Sequence, residues 1–217
     1  MVFITAHEMG HTFYATDEYN DIREYSGYLN VSDEDRMAHC LMWWDILTLC
    51  DATQGQIGWR DTDGDGILDI VDTVPDTMLN PYLPDPTSNN ILAYTGFVTE
   101  VPYTNRNPYT YTWPTHCGTF FPIPRTRRNI TINTITDVEY RIDSGEWFKA
   151  SPVDGAFDEA MENFTFTTPQ LSHGTHIIEV RGVNSVGNIE TSYATDVVTI
   201  VPPPKPVGGK AVPINKI

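Results

Sequence analysis

The chain has 217 residues, enough for one or two domains, and its 29 acidic against 13 basic side chains give a formal charge of −16. No basic stripe is present to neutralise phosphates, which excludes a nucleic-acid binder; the charge favours cation binding and solubility outside the cell. No apolar run approaches the roughly 18 residues of a membrane-spanning helix, and there is no charged-then-apolar leader.

The first motif, His7-Glu8-Met9-Gly10-His11, comes almost at the amino terminus. On a helix, residues four apart stand on one face, so the imidazoles of His7 and His11 can converge on one metal ion. A catalytic zinc takes three protein ligands and keeps one position open for water, so a third ligand must come from nearby. Asp17, six residues after His11, is the candidate, with Glu18 in reserve. Glu8, adjacent to the first ligand, is placed to be the general base toward zinc-bound water. Those roles describe peptide-bond hydrolysis: a polarised carbonyl, attack by activated water, and a proton carried to the leaving amine. Tyr19 and Tyr25 are candidates for hydrogen bonding to the oxyanion, or are packing residues.

The run HEMGHTFYATDEYND resembles the H-E-x-x-H and D-E-Y segment of zincin metallopeptidases. It is similar to that of the immunoglobulin-A-peptidase-like metalloproteases and of the protease domain of calcium-activated chloride channel regulators. It departs from the metzincin pattern at Tyr14, where that group has a turning glycine, and the other two groups space their Asp one residue further on. The resemblance implies an α/β zincin domain of which residues 1–57 are the mainly helical carboxy-terminal part, including a helix from Trp43 to about Thr53. It also implies a Met-containing turn beneath the metal, with Met42 the best-placed residue and Met37 second. From the residues alone, Met42 is equally a thioether filling core space beside Trp43 and Trp44.

Cys40 and Cys50 are close enough in sequence for a short disulfide loop, which suits an exported protein; a Cys-Cys-His zinc cluster with His39 is the alternative, and Cys117 is left over. Zincins bind substrate against a sheet edge that precedes the active helix, so a chain beginning inside that helix reads as a fragment, weakly active or inactive alone.

The second motif, Asp61-Thr62-Asp63-Gly64-Asp65-Gly66-Ile67-Leu68-Asp69 ending at Asp72, has the spacing of a Ca²⁺ loop. Asp61, Asp63 and Asp65 would bind through side chains, Ile67 through its carbonyl, Asp69 directly or through water, and Asp72 in place of the usual Glu. Its short terminal carboxylate resembles dockerin and thrombospondin type 3 loops. Five carboxylates in twelve residues repel one another without a cation; the bland alternative is a solvated acidic turn. Residues 58–86 thus read as the calcium loop followed by a Pro-rich linker from Pro75 to Pro86.

Residues 87–201 carry short alternating runs rich in Thr, Val, Ile and Tyr, divided by Gly, Pro, Asn and Asp, which is the pattern of a β-sandwich. The expected strands are Ile91 to Val101, Asn129 to Ile135, and Asp137 to Asp143, which forms a hairpin with Glu146 to Lys149. Asn163 to Thr168, Thr175 to Asn184 and Glu190 to Val201 complete the set. The segments VEYRIDSGEWFKA, DGAFDEAMENFTF and HGTHIIEVRGVNSVGN resemble Ig-like or fibronectin-III-like modules. Trp147, Phe157, Phe164 and Phe166 read as core and turn packing, and His116, His173 and His176 as structural. Sequons occur at Asn30, Asn129 and Asn163, and residues 202–217 are a Pro/Gly-rich stalk.

The expected fold is multidomain: the mainly helical carboxy-terminal part of an α/β zincin domain, then an all-β Ig-like sandwich. The expected function is a secreted or cell-surface zinc-dependent metalloendopeptidase with Zn²⁺ and Ca²⁺ as cofactors and a protein or peptide as substrate. The sandwich would attach it to a cell surface or polymer, or serve as a spacer. The alternative is a calcium-dependent surface adhesion or structural protein keeping a non-catalytic zinc motif.

Overall fold

A computed structural model describes residues 57–104 and 129–205, the backbone of 110–114 and 120–124, and positions 9, 12, 13, 54 and 55. Within residues 93–100, Tyr94, Gly96, Val98 and Glu100 are buried while Thr95 and Phe97 face water, so the period-two pattern gives a strand with one inward face. The same alternation builds the other long strands. In chain order they are β1 (Pro75–Leu79), β2 (Ala93–Glu100), β3 (Thr110–Pro114), β4 (Phe120–Pro124), β5 (Ile135–Ile142), β6 (Phe148–Lys149), β7 (Ser151–Pro152), β8 (Met161–Thr167), β9 (Gly174–Asn184) and β10 (Ala194–Ile200).

Two four-stranded antiparallel sheets, ordered β1-β2-β8-β7 and β10-β9-β5-β6, pack face to face, and β3 pairs with β4 in a separate ribbon. One edge is shared: β6 pairs with β5, the chain passes through buried Ala150, and β7 then pairs with β8 in the opposite sheet. At the other edge Thr87 forms a parallel bridge with Ile200, and Thr199 donates its N–H to Asp85 Oδ1 at 2.8 Å. Both devices occupy edge groups that an open sheet would leave unpaired.

Between the sheets lies one apolar core, with Leu92, Val98, Ile135, Val138, Phe164, Ile178 and Val180 buried from both sides. Phe166 stacks on Tyr140 at 4.0 Å and on Tyr94 at 5.2 Å between ring centroids, joining the two sheets through aromatic contacts. Phe157 packs against this core, whereas Trp147 lies outside it, with the guanidiniums of Arg141 and Arg181 over its ring at 4.6 and 3.9 Å.

The expectation of a mainly helical first part is overturned. The described structure is nearly all β, and helical backbone occurs only at Met9, Thr12, Gln54, Gly55 and Ile57, with no complete helix among the described residues. The physical reason is the dominance of β-branched and aromatic residues at alternating positions, a spacing that sets one strand face inward and does not wind into a helix stripe. The helix expected from Trp43 to Thr53, and the stalk beyond residue 205, lie outside the described residues. Boundaries also differ, and β10 opens at Ala194 rather than at the expected Glu190. Pro75–Leu79, read as linker, is edge strand β1, whose first residue tolerates proline because no ladder donor is needed there. Of Asn129 to Ile135, Ile130 bridges Tyr103 and Ile135 opens β5; the rest is irregular.

Gly96 faces Phe164 across the β2–β8 register, and a Cβ added there would lie 2.4 Å from the Phe164 ring and 2.3 Å from the Met78 carbonyl oxygen. Since neither backbone nor the enclosed ring can yield freely, Gly96→Ala is expected to destabilise the sandwich by about 1–3 kcal/mol. A urea titration reads this as a lower midpoint at unchanged slope, and a wild-type midpoint would refute the packing described.

Candidate metal centre

Asp61, Asp63 and Asp65 have carboxylate oxygens that all lie within 4.8 Å of one another, at the exposed tip of the loop ahead of β1. The chain brings them together by turning on its own side chains. Asp61 Oδ1 accepts from Gly64 N at 2.7 Å and its Oδ2 from Gly66 N at 2.9 Å, while Asp65 Oδ1 accepts from Ile67 N at 2.8 Å. Gly64 and Gly66 take φ of +81° and +92°, which is the left-handed region the sequence pattern requires at the loop's sixth position. A shared Ca²⁺ with oxygen distances of about 2.3–2.6 Å spans roughly 5 Å from ligand to ligand, so this oxygen-only donor set fits that ion.

The remaining members of the motif are placed elsewhere. Asp69 gives both oxygens to Thr62, accepting from its N–H at 2.9 Å and its hydroxyl at 2.7 Å, and so closes the base of the loop. Asp72 accepts from the Asn188 amide at 2.7 Å and is thereby tied to the turn after β9. Ile67 is half-buried beside the triad.

Below the loop the chain is clamped twice. Asp69 N–H donates to the Arg60 carbonyl at 2.6 Å and Ile70 N–H to that of Gly58 at 2.9 Å, which closes the loop as a narrow neck. Trp59, in that neck, meets the ring of Phe13 edge-on at 5.2 Å, and Ile57 is buried with them. The Tyr103 hydroxyl donates to the Gly55 carbonyl at 3.0 Å. The acidic loop is thus held between the sandwich and the segment that begins with the His7 motif. Within that segment Met9 and Thr12 have helical backbone, and the Thr12 hydroxyl donates to the Met9 carbonyl at 2.7 Å. His7, Glu8, His11, Asp17 and Glu18 themselves lie outside the described residues, as do Met42, Cys40, Cys50 and Cys117.

Sequence reasoning missed a buried polar cluster where the loop enters β1. Thr73 donates through its hydroxyl to Glu100 Oε1, which also accepts from the Asn133 and Asn184 amides at 3.3 Å each. Glu100 Oε2 is buried and makes no hydrogen bond among the described residues. A signal was available: Glu100 has the same parity as inward Tyr94 and Val98, and Asn184 the same parity as Val180.

His176, read as structural, has Nδ1 at 2.7 Å from Asp143 Oδ2 and Nε2 at 3.0 Å from the Ser172 carbonyl, with Ser172 Oγ at 3.5 Å. The three residue types are those of a nucleophilic triad, but the polarity is wrong. Nε2 donates to a carbonyl oxygen, so it has no lone pair free to take a proton from Ser172. Both ring nitrogens therefore donate, which matches an imidazolium. The Asp143 hydrogen bond holds the His176 pKa above its ordinary value against the opposing effect of burial, and the Ser172 carbonyl adds to it. Burial works to raise Asp143, but the Ile177 N–H and His176 outweigh it and hold that carboxyl low.

A raised histidine pKa stabilises the fold below the unfolded value of about 6.5 and loses that contribution as pH rises through the folded value. Asp143 has the opposite sign: its contribution fades as pH falls through its depressed pKa. The difference in unfolding free energy between wild type and His176→Gln is thus expected to shrink as pH rises above about 6.5 in urea titrations. A difference constant between pH 5 and 9 would rule out the charged pair.

No family model matches the chain, and no curated protein does. Among solved structures, the sulfane dehydrogenase SoxCD from Paracoccus pantotrophus is similar over 63% of this chain and 34% of that chain, at 12% identity and a TM-score of 0.35. This chain therefore spans 34% of that protein's length, and a likeness so distant assigns it neither family nor activity.

Proposed function

We propose that the chain is part of an exported zinc-dependent metalloendopeptidase whose peptidase segment is joined to a β-sandwich through a calcium-binding loop. The observation that carries the peptidase reading is the His7-Glu8-x-x-His11 spacing followed by Asp17. Helical backbone at Met9 and Thr12 supports a register in which positions 7 and 11 share a face. Two imidazoles and a carboxylate make a donor set suited to zinc. When bound, zinc supplies a polarised carbonyl and a more acidic water. Glu8 would act as the general base, taking a proton from the attacking water and returning it to the leaving amine.

The clustering of Asp61, Asp63 and Asp65 supports calcium as the second cofactor. Three carboxylates this close repel one another, and a divalent ion turns that repulsion into closure of the loop. Because the loop's neck carries Trp59 against Phe13, calcium would brace the junction beside the zinc-binding segment.

Metal analysis is expected to find zinc bound one to one, lost in the His7→Ala/His11→Ala double variant and kept in Glu8→Gln. Peptide hydrolysis by the protein carrying this segment is expected to fall roughly 10²–10⁴-fold in Glu8→Gln. Undiminished hydrolysis in that variant, or stoichiometric zinc in the double variant, overturns the peptidase reading.

Calcium at 100 times its Kd is expected to add about 2.7 kcal/mol to stability, read as a chelator-sensitive rise in Tm that Asp61→Asn/Asp63→Asn abolishes. A Tm indifferent to both calcium and chelator overturns the calcium reading alone.

A further inference from the structure

The outer face of the β1-β2-β8-β7 sheet carries an apolar row with one amide in it. Met78 on β1 is the register partner of Phe97 on β2, and Phe97 is the partner of Asn163 on β8. Val153, just past β7, donates its N–H to the Asn163 carbonyl at 2.9 Å and extends the row. The apolar members are open to water: Met78 is 54% exposed, Phe97 39% and Val153 63%, with Met161, two positions before Asn163 on the same face, at 56%. Directly opposed positions on neighbouring strands hold their Cβ atoms about 4.5–5.5 Å apart, so anything attached to Asn163 starts beside the Phe97 ring.

Asn163 is exposed, and its side-chain amide makes no hydrogen bond among the described residues. With Phe164 and Thr165 it forms an Asn-x-Thr sequon, the acceptor pattern for N-linked sugar. A side chain of the alternating outward set would normally be read as generic strand surface. Here a free acceptor amide lies in the middle of an uncovered apolar row, and that juxtaposition needs an occupant.

We propose that Asn163 is a glycan attachment site and that its glycan lies over Phe97 and Met78. Sugar rings have C–H faces whose positive edge suits the negative face of an aromatic ring, while their hydroxyls keep contact with water. Such an occupant covers apolar surface without adding a new apolar exterior. The acceptor chemistry is complete as written: Asn163 Nδ2 forms a bond to the anomeric carbon of a sugar carried on a lipid diphosphate. The carbon–oxygen bond to the diphosphate breaks, the lipid diphosphate leaves, and the amide gives up one proton. Donor and transferase are those of the exporting cell. The proposal is independent of the zinc and calcium sites and requires that the chain is exported by a cell that N-glycosylates exported proteins.

The test is secretion of the full chain from cells that N-glycosylate exported proteins, followed by peptide mapping. The Asn163 peptide is expected to carry glycan, and Asn163→Gln to lose it. Enzymatic release of the glycan from the folded protein in ¹⁸O water is expected to leave labelled Asp at position 163 and to raise binding of an apolar fluorescent dye. In Met78→Ser/Phe97→Ser the glycan is expected to remain and the rise in dye binding to vanish. An unmodified Asn163 in the secreted folded protein overturns the site, and dye binding unchanged by glycan release overturns its role as a cover.

Discussion

The buried Glu100 carboxylate is the constraint on which the arrangement of the chain depends. Taking a carboxylate out of water costs several kcal/mol unless hydrogen bonds replace its hydration. At the end of β2 that replacement reaches Oε1 from three elements at once, Thr73 from the loop exit, Asn133 from the lead-in to β5 and Asn184 from the end of β9, while Oε2 has no donor among the described residues. The same amides also bond the backbone of the loop exit, Asn133 to the Val71 carbonyl at 2.6 Å and Asn184 to that of Thr73 at 2.7 Å. A buried carboxyl oxygen whose donors come from several separate segments favours one arrangement of those segments over others. Removing any one donor takes a hydrogen bond from a buried carboxyl that already has one oxygen unpaired among the described residues, so the cluster acts as a unit.

From that clamp follows the position of the acidic loop. Asp72 and Thr73 are bound to Asn188, so the loop's last carboxylate belongs to the sandwich, while Asp61, Asp63 and Asp65 gather at the free tip. Asp69 divides the two regions by capping Thr62 at the neck. The loop is therefore anchored at one end by neutral amides and left mutually repulsive at the other, the charge distribution that a cation at the tip would complete. Through Trp59 the neck also meets Phe13, which makes the loop a mechanical link between that position and the sandwich.

What the sequence made legible was set by local periodicity. Tyr94 to Glu100, Met161 to Thr167 and Gly174 to Asn184 alternate so regularly that their strands could be placed within two residues. The hairpin between Asp137–Asp143 and Glu146–Lys149 was likewise visible, though the positive φ values in its turn fall on Asp143 and Ser144 rather than on Gly145. Strand β1 was hidden because Pro75 and the prolines after it look like punctuation, and its pairing with β2 is decided by tertiary contact rather than by propensity. The buried cluster was hidden for another reason. Glu100, Asn133 and Asn184 are polar residue types whose burial makes sense only once their partners, distant in sequence, are known. The residues of the His7 motif lie outside the described ones, and the mainly helical part expected around it from resemblance is overturned by a described structure that is nearly all β.

The two outer faces of the sandwich differ in a way that bears on what each can do. On the β10-β9-β5-β6 sheet, Arg141 pairs with Glu179 and Arg181 with Glu139, both at 2.7 Å, and Trp147 lies under the two guanidiniums. Those charges are spent on one another, and apart from the adjacent exposed pair Ile177 and Val197 the face is closed by its own side chains. On the other sheet nothing comparable crosses the strands among the described residues: Met78, Phe97 and Asn163 stand in register without ion pairs between them. Those ion pairs are half-buried, with side chains only 15–21% exposed, so the first face satisfies its charges internally. The second face gains no such protection, and its apolar row remains available to whatever covers it.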